Sequence, residues 1–217
     1  MDIENARYNM VEQQIRPCNV SNKQLLETLI GVKRETFILP LYQSMAFFDV
    51  EIQLPNGYNM LCPRVDAMMI QNLDIKSSDK ILEVGTGSGY VTCVLSKMAK
   101  FVYSFEIDEI NRQFAVKNIT YFGANNVSVL SGNGLDGMPS NAPFDKILVS
   151  GAVLQIPETL KQQLAIGGSL ICITGNTPAM CAMLIRKVGE NKYIERQLFE
   201  TVAQYLTTSN MHNKFIF

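Results

Sequence analysis

The chain has 217 residues, 47% of them hydrophobic and 18% charged, enough to bury one large core or one domain with an extension. A formal charge of −1 gives no electrostatic ground for general binding to nucleic acid or to an anionic membrane. No apolar run reaches the roughly 18 residues of a membrane span, and the polar, acidic start MDIENARYNM is unlike a signal peptide.

Five cysteines, at 18, 62, 93, 172 and 181, are odd in number and include no CxxC pair. A disulfide framework and a zinc site are therefore not expected, Cys93 and Cys172 read as small buried hydrophobes, and cytoplasm is the expected compartment. The single histidine, His212, lies in the polar tail TTSNMHNK. That argues against Ser-His and Cys-His hydrolases and against a histidine-based metal site, so no metal is expected.

In chain order, ARYNMVEQQI and SNKQLLETLIGV have helical patterns, the second with Ser21 as its predicted cap. RPCN and LPLY mark breaks, and RVDAMMIQNLDI after Pro63 is another helix. Residues 1–79 are read as a helical extension that packs onto the remainder, and residues 80–217 as the core. KILEVG (80–85) is a short apolar strand, YVTCVLSKMAK (90–100) a helix with Val91, Val94, Leu95 and Met98 on one face, and FVYSFEI (101–107) a second strand. Residues 108–123 form an amphipathic helix with Asp108 as N-cap and Gly123 as its stop. VSVLSG (127–132), FDKILVSGA (144–152) and GGSLICITG (167–175) are further strands, with a short helix over 157–165 opened by Pro157 in its first turn. This alternation predicts an α/β fold with a mostly parallel sheet covered on both faces. Segments 180–188 and 195–206 around GENK predict an appended antiparallel hairpin.

The segment ILEVGTGSGY sets Gly85, Gly87 and Gly89 between a strand and a helix, where open α/β sheets bind ligands. Glycines let the backbone turn sharply and approach a ligand closely. A dinucleotide fold prefers GxGxxG; here Tyr90 holds the last position, and the spacing is GxGxG preceded by Glu83. That pattern is more typical of S-adenosylmethionine, whose amino-acid end needs backbone hydrogen bonds and whose sulfonium tolerates carboxylates. Glu106 ends the second strand, where a carboxylate can accept two bonds from a ribose diol. Asn133 and Gly134 follow the third strand near the expected adenine, and Ser150 closes the fourth strand at the same rim. The candidate cofactor set is Glu83, Val84, Gly85, Thr86, Gly87, Ser88, Gly89, Glu106, Ile107, Asn133, Gly134 and Ser150.

From about Tyr8 to Leu206 the chain resembles the protein-L-isoaspartate O-methyltransferase family, through VEQQIRP, KRETFILP, ILEVGTGSGY, APFDKILVSGA and LKQQLAIGGSL. The resemblance implies a Rossmann-like methyltransferase sheet, S-adenosylmethionine as methyl donor, and the carboxylate of isoaspartyl residues in damaged proteins or peptides as acceptor. Neither nucleic acid nor membrane is an expected partner, and a monomer is the default. The family's substrate loop reads Gly-x-Thr-Ile-Ser-x-Pro. The matching residues here are Gly57, Tyr58, Asn59, Met60, Leu61, Cys62 and Pro63. Asn59 stands in the threonine position and Leu61 in the serine position that the family uses near the reacting centre; Asn133 stands where the family usually has aspartate.

Asn59 and Leu61 are thus the positions nearest the chemistry, with Gly57, Met60, Cys62, Pro63 and Arg64 as the acceptor-binding set. Arg64 is either a positive partner for the acceptor or a solvated charge at a helix start. Cys62 reads as packing rather than as a nucleophile. A carboxylate is already ionised at neutral pH, so methylating it needs orientation more than proton transfer. Loss of the serine hydroxyl is therefore expected to weaken orientation without abolishing the reaction. Two other readings stay open: a methyltransferase with a small-molecule acceptor, and a cofactor-binding regulator without catalysis.

Overall fold

The computed structural model describes residues 2–206. His212 and the tail beyond Leu206 lie outside the described residues. Two helices open the chain: α1 (Ile3–Asn9), which continues as a π-helical turn over Met10–Ile15, and α2 (Lys23–Gly31). The cap of α2 is Asn22, whose side chain accepts from the Leu25 amide, and not Ser21 as predicted. The Ser21 and Asn22 amides are both taken by the Gln71 side chain, a tertiary contact that shifts the helix start by one residue.

A short antiparallel pair follows, β1 (Ile52–Gln53) and β2 (Asn59–Met60), turning at Gly57 with φ +88°. Next comes α3 (Pro63–Leu73), whose first position is proline, where a missing N–H costs nothing. The large sheet then runs β3 (Lys80–Val84), β4 (Phe101–Glu106), β5 (Val127–Ser131), β6 (Phe144–Val153), β7 (Leu164–Asn176), β8 (Ala179–Gly189) and β9 (Lys192–Glu200). Its spatial order is β5-β4-β3-β6-β7-β8-β9, parallel from β5 to β7 and antiparallel beyond. This is the predicted α/β architecture with its appended hairpin.

Between strands lie α4 (Tyr90–Met98), α5 (Glu109–Phe122) and α6 (Glu158–Gln162). Asp108 caps α5 through the Asn111 amide, and Gly123 ends it at φ +81°, both as read from the sequence. Pro157 is the N-cap of α6 rather than part of its first turn. The hairpin turn is tighter than predicted, with Gly189 paired to Lys192 and Asn191 at φ +51°. Consequently β9 starts three residues before 195 and ends at Glu200. Residues 201–206 leave the strand and cross the sheet end, where Tyr205 bridges Ala152.

One core joins the extension to the sheet: Met10, Leu25, Phe37, Met69 and Ile70 share a cluster with Ile81, Val94, Leu148 and Ile171. A second cluster, with Leu82, Val84, Phe144, Ile147, Val149 and Leu160, covers the opposite face. Both faces of β3 and β6 are largely buried, so adjacent apolar residues serve opposite faces, as Ile81 and Leu82 do in β3 and Ile147, Leu148 and Val149 in β6. Chain order reverses at the β3–β6 boundary, since β4 and β5 lie on one side of β3 and β6 on the other. Ligand crevices form at the carboxyl ends of strands at such a switch point.

Candidate active site

The switch point opens onto a cavity of about 350 Å³. The sheet contributes Val84 at the end of β3 with Gly85 and Gly87 after it; Phe105, Glu106, Ile107 and Asp108 at the end of β4; Gly132, Asn133, Gly134 and Leu135 after β5; and Ser150 and Gly151 in β6. The extension contributes Glu51, Leu54, Asn56, Tyr58, Asn59 and Leu61. From α5 comes Asn111, and from the crossing segment Gln204, Tyr205 and Leu206. A small adjoining chamber of about 40 Å³ lies behind the glycine loop, lined by Met60, Asp66, Thr86, Ser88, Tyr90 and Val91 together with Leu54, Asn59, Leu61, Gly85, Gly87 and Ser150 from the larger cavity.

The loop after β3 owes its shape to glycine. Gly85, Gly87 and Gly89 have φ of +93°, +57° and +84°, a region that side-chain-bearing residues avoid. The Gly85 and Thr86 amides donate to the Phe105 carbonyl at 2.9 and 3.1 Å, tying the loop to β4. Glu106 faces this loop: Oε2 accepts from the Gly87 amide at 2.8 Å and Oε1 from the Asp108 amide at 3.1 Å. Burial raises its carboxyl pKa, against the pull of those amides. Asn133 accepts from the Leu135 amide at 3.2 Å and so caps its own turn. Gly134 has no room for a side chain, because a Cβ would sit 2.8 Å from Phe105 Cβ and Val84 Cγ1. Two polar atoms beside the cavity, Ser150 Oγ and Asn111 Oδ1, are buried without a partner.

Several candidates lie elsewhere. Glu83 is fully buried behind the loop and lines neither cavity. Its Oε2 accepts from Thr92 at 2.5 Å and Ser104 at 2.7 Å, and Ser104 in turn meets the Thr86 hydroxyl at 2.7 Å. The acid therefore braces the loop from beneath. Burial pushes its pKa up to about 8, opposed by the Ser104 and Thr92 hydroxyls. Gly89 also faces away: a Cβ there would meet Ile119 Cγ1 at 2.9 Å, so this glycine permits the close approach of α4 and α5.

On the acceptor side, Asn59 and Leu61 line both cavities and Met60 the small one, whereas Gly57, Cys62 and Pro63 line neither. Gly57 shapes the turn, with its amide donating to the Leu54 carbonyl at 3.0 Å. Pro63 starts α3 and Cys62 precedes it. The Cys62 thiol is pushed up to about 11, chiefly by burial and then by Asp49, which leaves it protonated and unreactive. Arg64 turns from the cavity to Asp49, with Nε–Oδ2 at 2.9 Å, because Asp49 also receives the Arg64 amide at 3.3 Å. The Asn59 amide donates to Gln204 Oε1 at 3.2 Å, and Asn59 Nδ2 to Glu51 Oε2 at 3.0 Å.

Sequence reasoning missed Glu51, Leu54, Asn111 and the segment Gln204–Leu206. Asn111 was readable in principle, being in the first turn of α5 just after Glu106. The crossing segment carried no signal, since its pattern reads as a continuing strand. Leu206 closes over Gly85 and Gly151; a Cβ on Gly151 would lie 2.6 Å from Leu206 Cδ2.

The family model for protein-L-isoaspartate(D-aspartate) O-methyltransferase matches residues 5–211. A protein-L-isoaspartate O-methyltransferase of Roseiflexus sp. (strain RS-1) is 33% identical over 196 residues, covering 90% of this chain and 89% of that one. One from Fervidobacterium nodosum is 34% identical over 193 residues, covering 87% and 96%. Among solved structures, a Plasmodium falciparum chain described as such a methyltransferase, in complex with S-adenosyl-L-homocysteine, superposes with a TM-score of 0.81. That match is 20% identical and covers 94% of this chain and 99% of that one; it shows the shared fold. The family match across nearly the whole chain and the level of identity over most of both sequences lead to one conclusion: this chain belongs to the protein-L-isoaspartate (D-aspartate) O-methyltransferase family.

Proposed function

We propose that the chain is an S-adenosylmethionine-dependent O-methyltransferase that esterifies the free carboxylate of isoaspartyl residues in proteins and peptides. The observation that carries this reading is Glu106, held at the tip of β4 by the Gly87 and Asp108 amides and facing the cavity. A carboxylate fixed in this way keeps lone pairs for a ribose diol.

The residues present fit the cofactor. Gly85 and Gly87 leave the backbone bare along the cavity wall, Asn133, Gly134 and Leu135 form the wall expected to meet an adenine, and the orphaned Ser150 and Asn111 atoms await polar partners. The charged side chains among the described lining residues are Glu51, Glu106 and Asp108, a field that suits a cationic ligand. Bound S-adenosylmethionine would supply a methyl group on a cationic sulfur, which a carboxylate oxygen can take without a proton changing place. The chain's own task is to bring that oxygen in line and keep water out. Leu54, Leu61, Tyr205 and Leu206 exclude water, and Asn56, Tyr58 and Asn59 are the polar lining residues that the extension brings to the acceptor side. In this reading residues 1–79 supply the acceptor loop and residues from 80 onward the cofactor site.

Among the described residues no helix is long and apolar enough to cross a membrane. The reading is of a cytoplasmic enzyme, with a monomer as its simplest working unit and damaged proteins rather than nucleic acid as partners. One feature favours a second reading, a less polar acceptor: the acceptor side carries Leu61 in the serine position, and no lysine or arginine is among the described lining residues.

The test is transfer of labelled methyl from S-adenosylmethionine to an isoaspartyl peptide, with the matching aspartyl peptide as control. Turnover of the isoaspartyl peptide alone is expected. In parallel, Glu106→Ala is expected to weaken S-adenosylhomocysteine binding about tenfold to a hundredfold, the worth of a hydrogen bond to a charged group. Unchanged affinity, or equal methylation of both peptides, would count against the reading.

A further inference from the structure

Behind the acceptor loop sits a fully buried arginine that the proposed chemistry has not used. Arg34 begins a short turn, Arg34–Phe37, between α2 and β1. Its Nη2 donates to the Leu61 carbonyl at 3.1 Å. Its Nη1 lies 3.7 Å from Asp66 Oδ2, on the first turns of α3. Its guanidinium lies 5.0 Å from the centroid of the Tyr90 ring, which also packs edge-on against Phe37 at 5.6 Å. Tyr90 follows Gly89 directly and opens α4.

One side chain therefore touches three pieces: the acceptor loop at Leu61, α3 at Asp66, and the helix continuing the glycine loop at Tyr90. Leu61, Asp66 and Tyr90 also line the same small chamber, facing Thr86, Gly87 and Ser88. We propose that Arg34 is a positioning residue that sets the gap between the acceptor loop and the cofactor loop, holding the Leu61 carbonyl and the Asp66 side chain with one guanidinium braced on Tyr90. Its catalytic consequence rests on the methyltransferase reading given above.

Full burial of an arginine is costly, and removing one partner of a buried pair leaves the other uncompensated. Here the pairing is imperfect, for Nε and Nη1 have no hydrogen-bond partner. The residue is thus poor value as a stabiliser of the core, while its planar fork suits a clamp on two separate partners. Arg34 also has leverage on the reacting geometry. Leu61 and Asn59 form the acceptor wall, and in-line transfer is sensitive to a displacement of about 1 Å, which can cost on the order of a hundredfold in rate.

The test uses the full chain and two variants. Arg34→Met combined with Asp66→Asn removes the pair without stranding a charge. Arg34→Lys keeps the charge and loses the fork. Folding is checked by thermal melting, S-adenosylhomocysteine binding by calorimetry, turnover on the isoaspartyl peptide, and amide hydrogen exchange over residues 57–62. The expected result for the double variant is cofactor-product affinity within about twofold of the natural protein, faster exchange in 57–62 but not in β3 or β4, and kcat lower by about tenfold or more, with peptide KM moved less than kcat. Arg34→Lys should fall between, and it keeps the question decidable where the double variant does not fold. Unchanged exchange in 57–62 would overturn the clamp whatever the acceptor. Faster exchange with undiminished kcat would overturn its positioning role. If the natural protein methylates no isoaspartyl peptide, it is the functional reading that fails, and loop exchange alone decides the clamp.

Discussion

On the cofactor wall of the cavity, backbone and charge converge: glycines with positive φ, the Glu106 carboxylate on two amides, and Glu83 bracing the loop through Ser104 and Thr86. On the acceptor wall, the corresponding positions are apolar or already engaged, with Leu61 presenting a hydrocarbon, Asn59 bonded to Glu51 and Gln204, and Arg64 turned to Asp49. In the proposed reading, cofactor recognition sits largely in backbone shape and so tolerates little change. In the same reading, acceptor recognition sits in a few side chains on a loop, and this is the half that departs more from the family's pattern, at Asn59 and Leu61 against Asn133 on the cofactor side.

Glycine substitutions put that contrast at its sharpest. Gly89→Ala should destabilise the protein by about 2–4 kcal/mol, because it combines left-handed strain with contacts at 2.9 Å to Ile119 Cγ1 and 3.2 Å to the Ala115 carbonyl. Gly57→Ala, at a φ of +88° but with nothing within 4 Å, should cost only the strain, about 1–2 kcal/mol. Equal losses in denaturant unfolding would mean that the two loops are not built on different terms.

A pH series probes the bracing acid. The folded-state pKa of Glu83, about 8, lies above its unfolded value near 4.5. Folding therefore favours the protonated form. The contribution is fully present below about pH 4.5 and is lost as pH rises through about 8. Asp66, raised to about 7 by burial despite Arg34, acts in the same sense. The melting temperature should fall between pH 5 and 9, and Glu83→Gln, which keeps an oxygen for Thr92 and Ser104, should flatten that fall. Parallel curves for the two proteins would remove Glu83 from the account.

The smallest effect is expected at Arg64. Its pair with Asp49 is about one-third exposed, and such pairs contribute below about 1 kcal/mol. Arg64→Ala should leave kcat/KM within about threefold of the natural value. A loss of tenfold or more would show that Arg64 swings into the cavity when the acceptor binds.

What the sequence made legible follows the same division. Gly85, Gly87, Glu106, Asp108 and Gly123 were readable because each does its work within a few residues of its own element: a turn, a strand tip, a cap, a stop. Asn22 was hidden because Gln71, far along the chain, takes the Ser21 and Asn22 amides. Arg64 was ambiguous because its direction depends on Asp49, and Glu83 was assigned to the ligand because a strand's alternation does not say what covers each face. The Gln204–Leu206 crossing and the Arg34 clamp depend on partners more than 25 residues away, and no local pattern announces such contacts.

In the proposed site the cofactor wall is complete while the acceptor wall has exchanged a hydroxyl for a hydrocarbon, and the reaction is expected to survive that exchange. The most direct test is turnover of the natural protein and of Leu61→Ser on the same isoaspartyl peptide, with S-adenosylhomocysteine affinity measured for both. The expected result is turnover by the natural protein, a kcat/KM about tenfold or more higher for Leu61→Ser, and equal cofactor-product affinity. Binding of S-adenosylhomocysteine by both proteins with turnover by neither would contradict it.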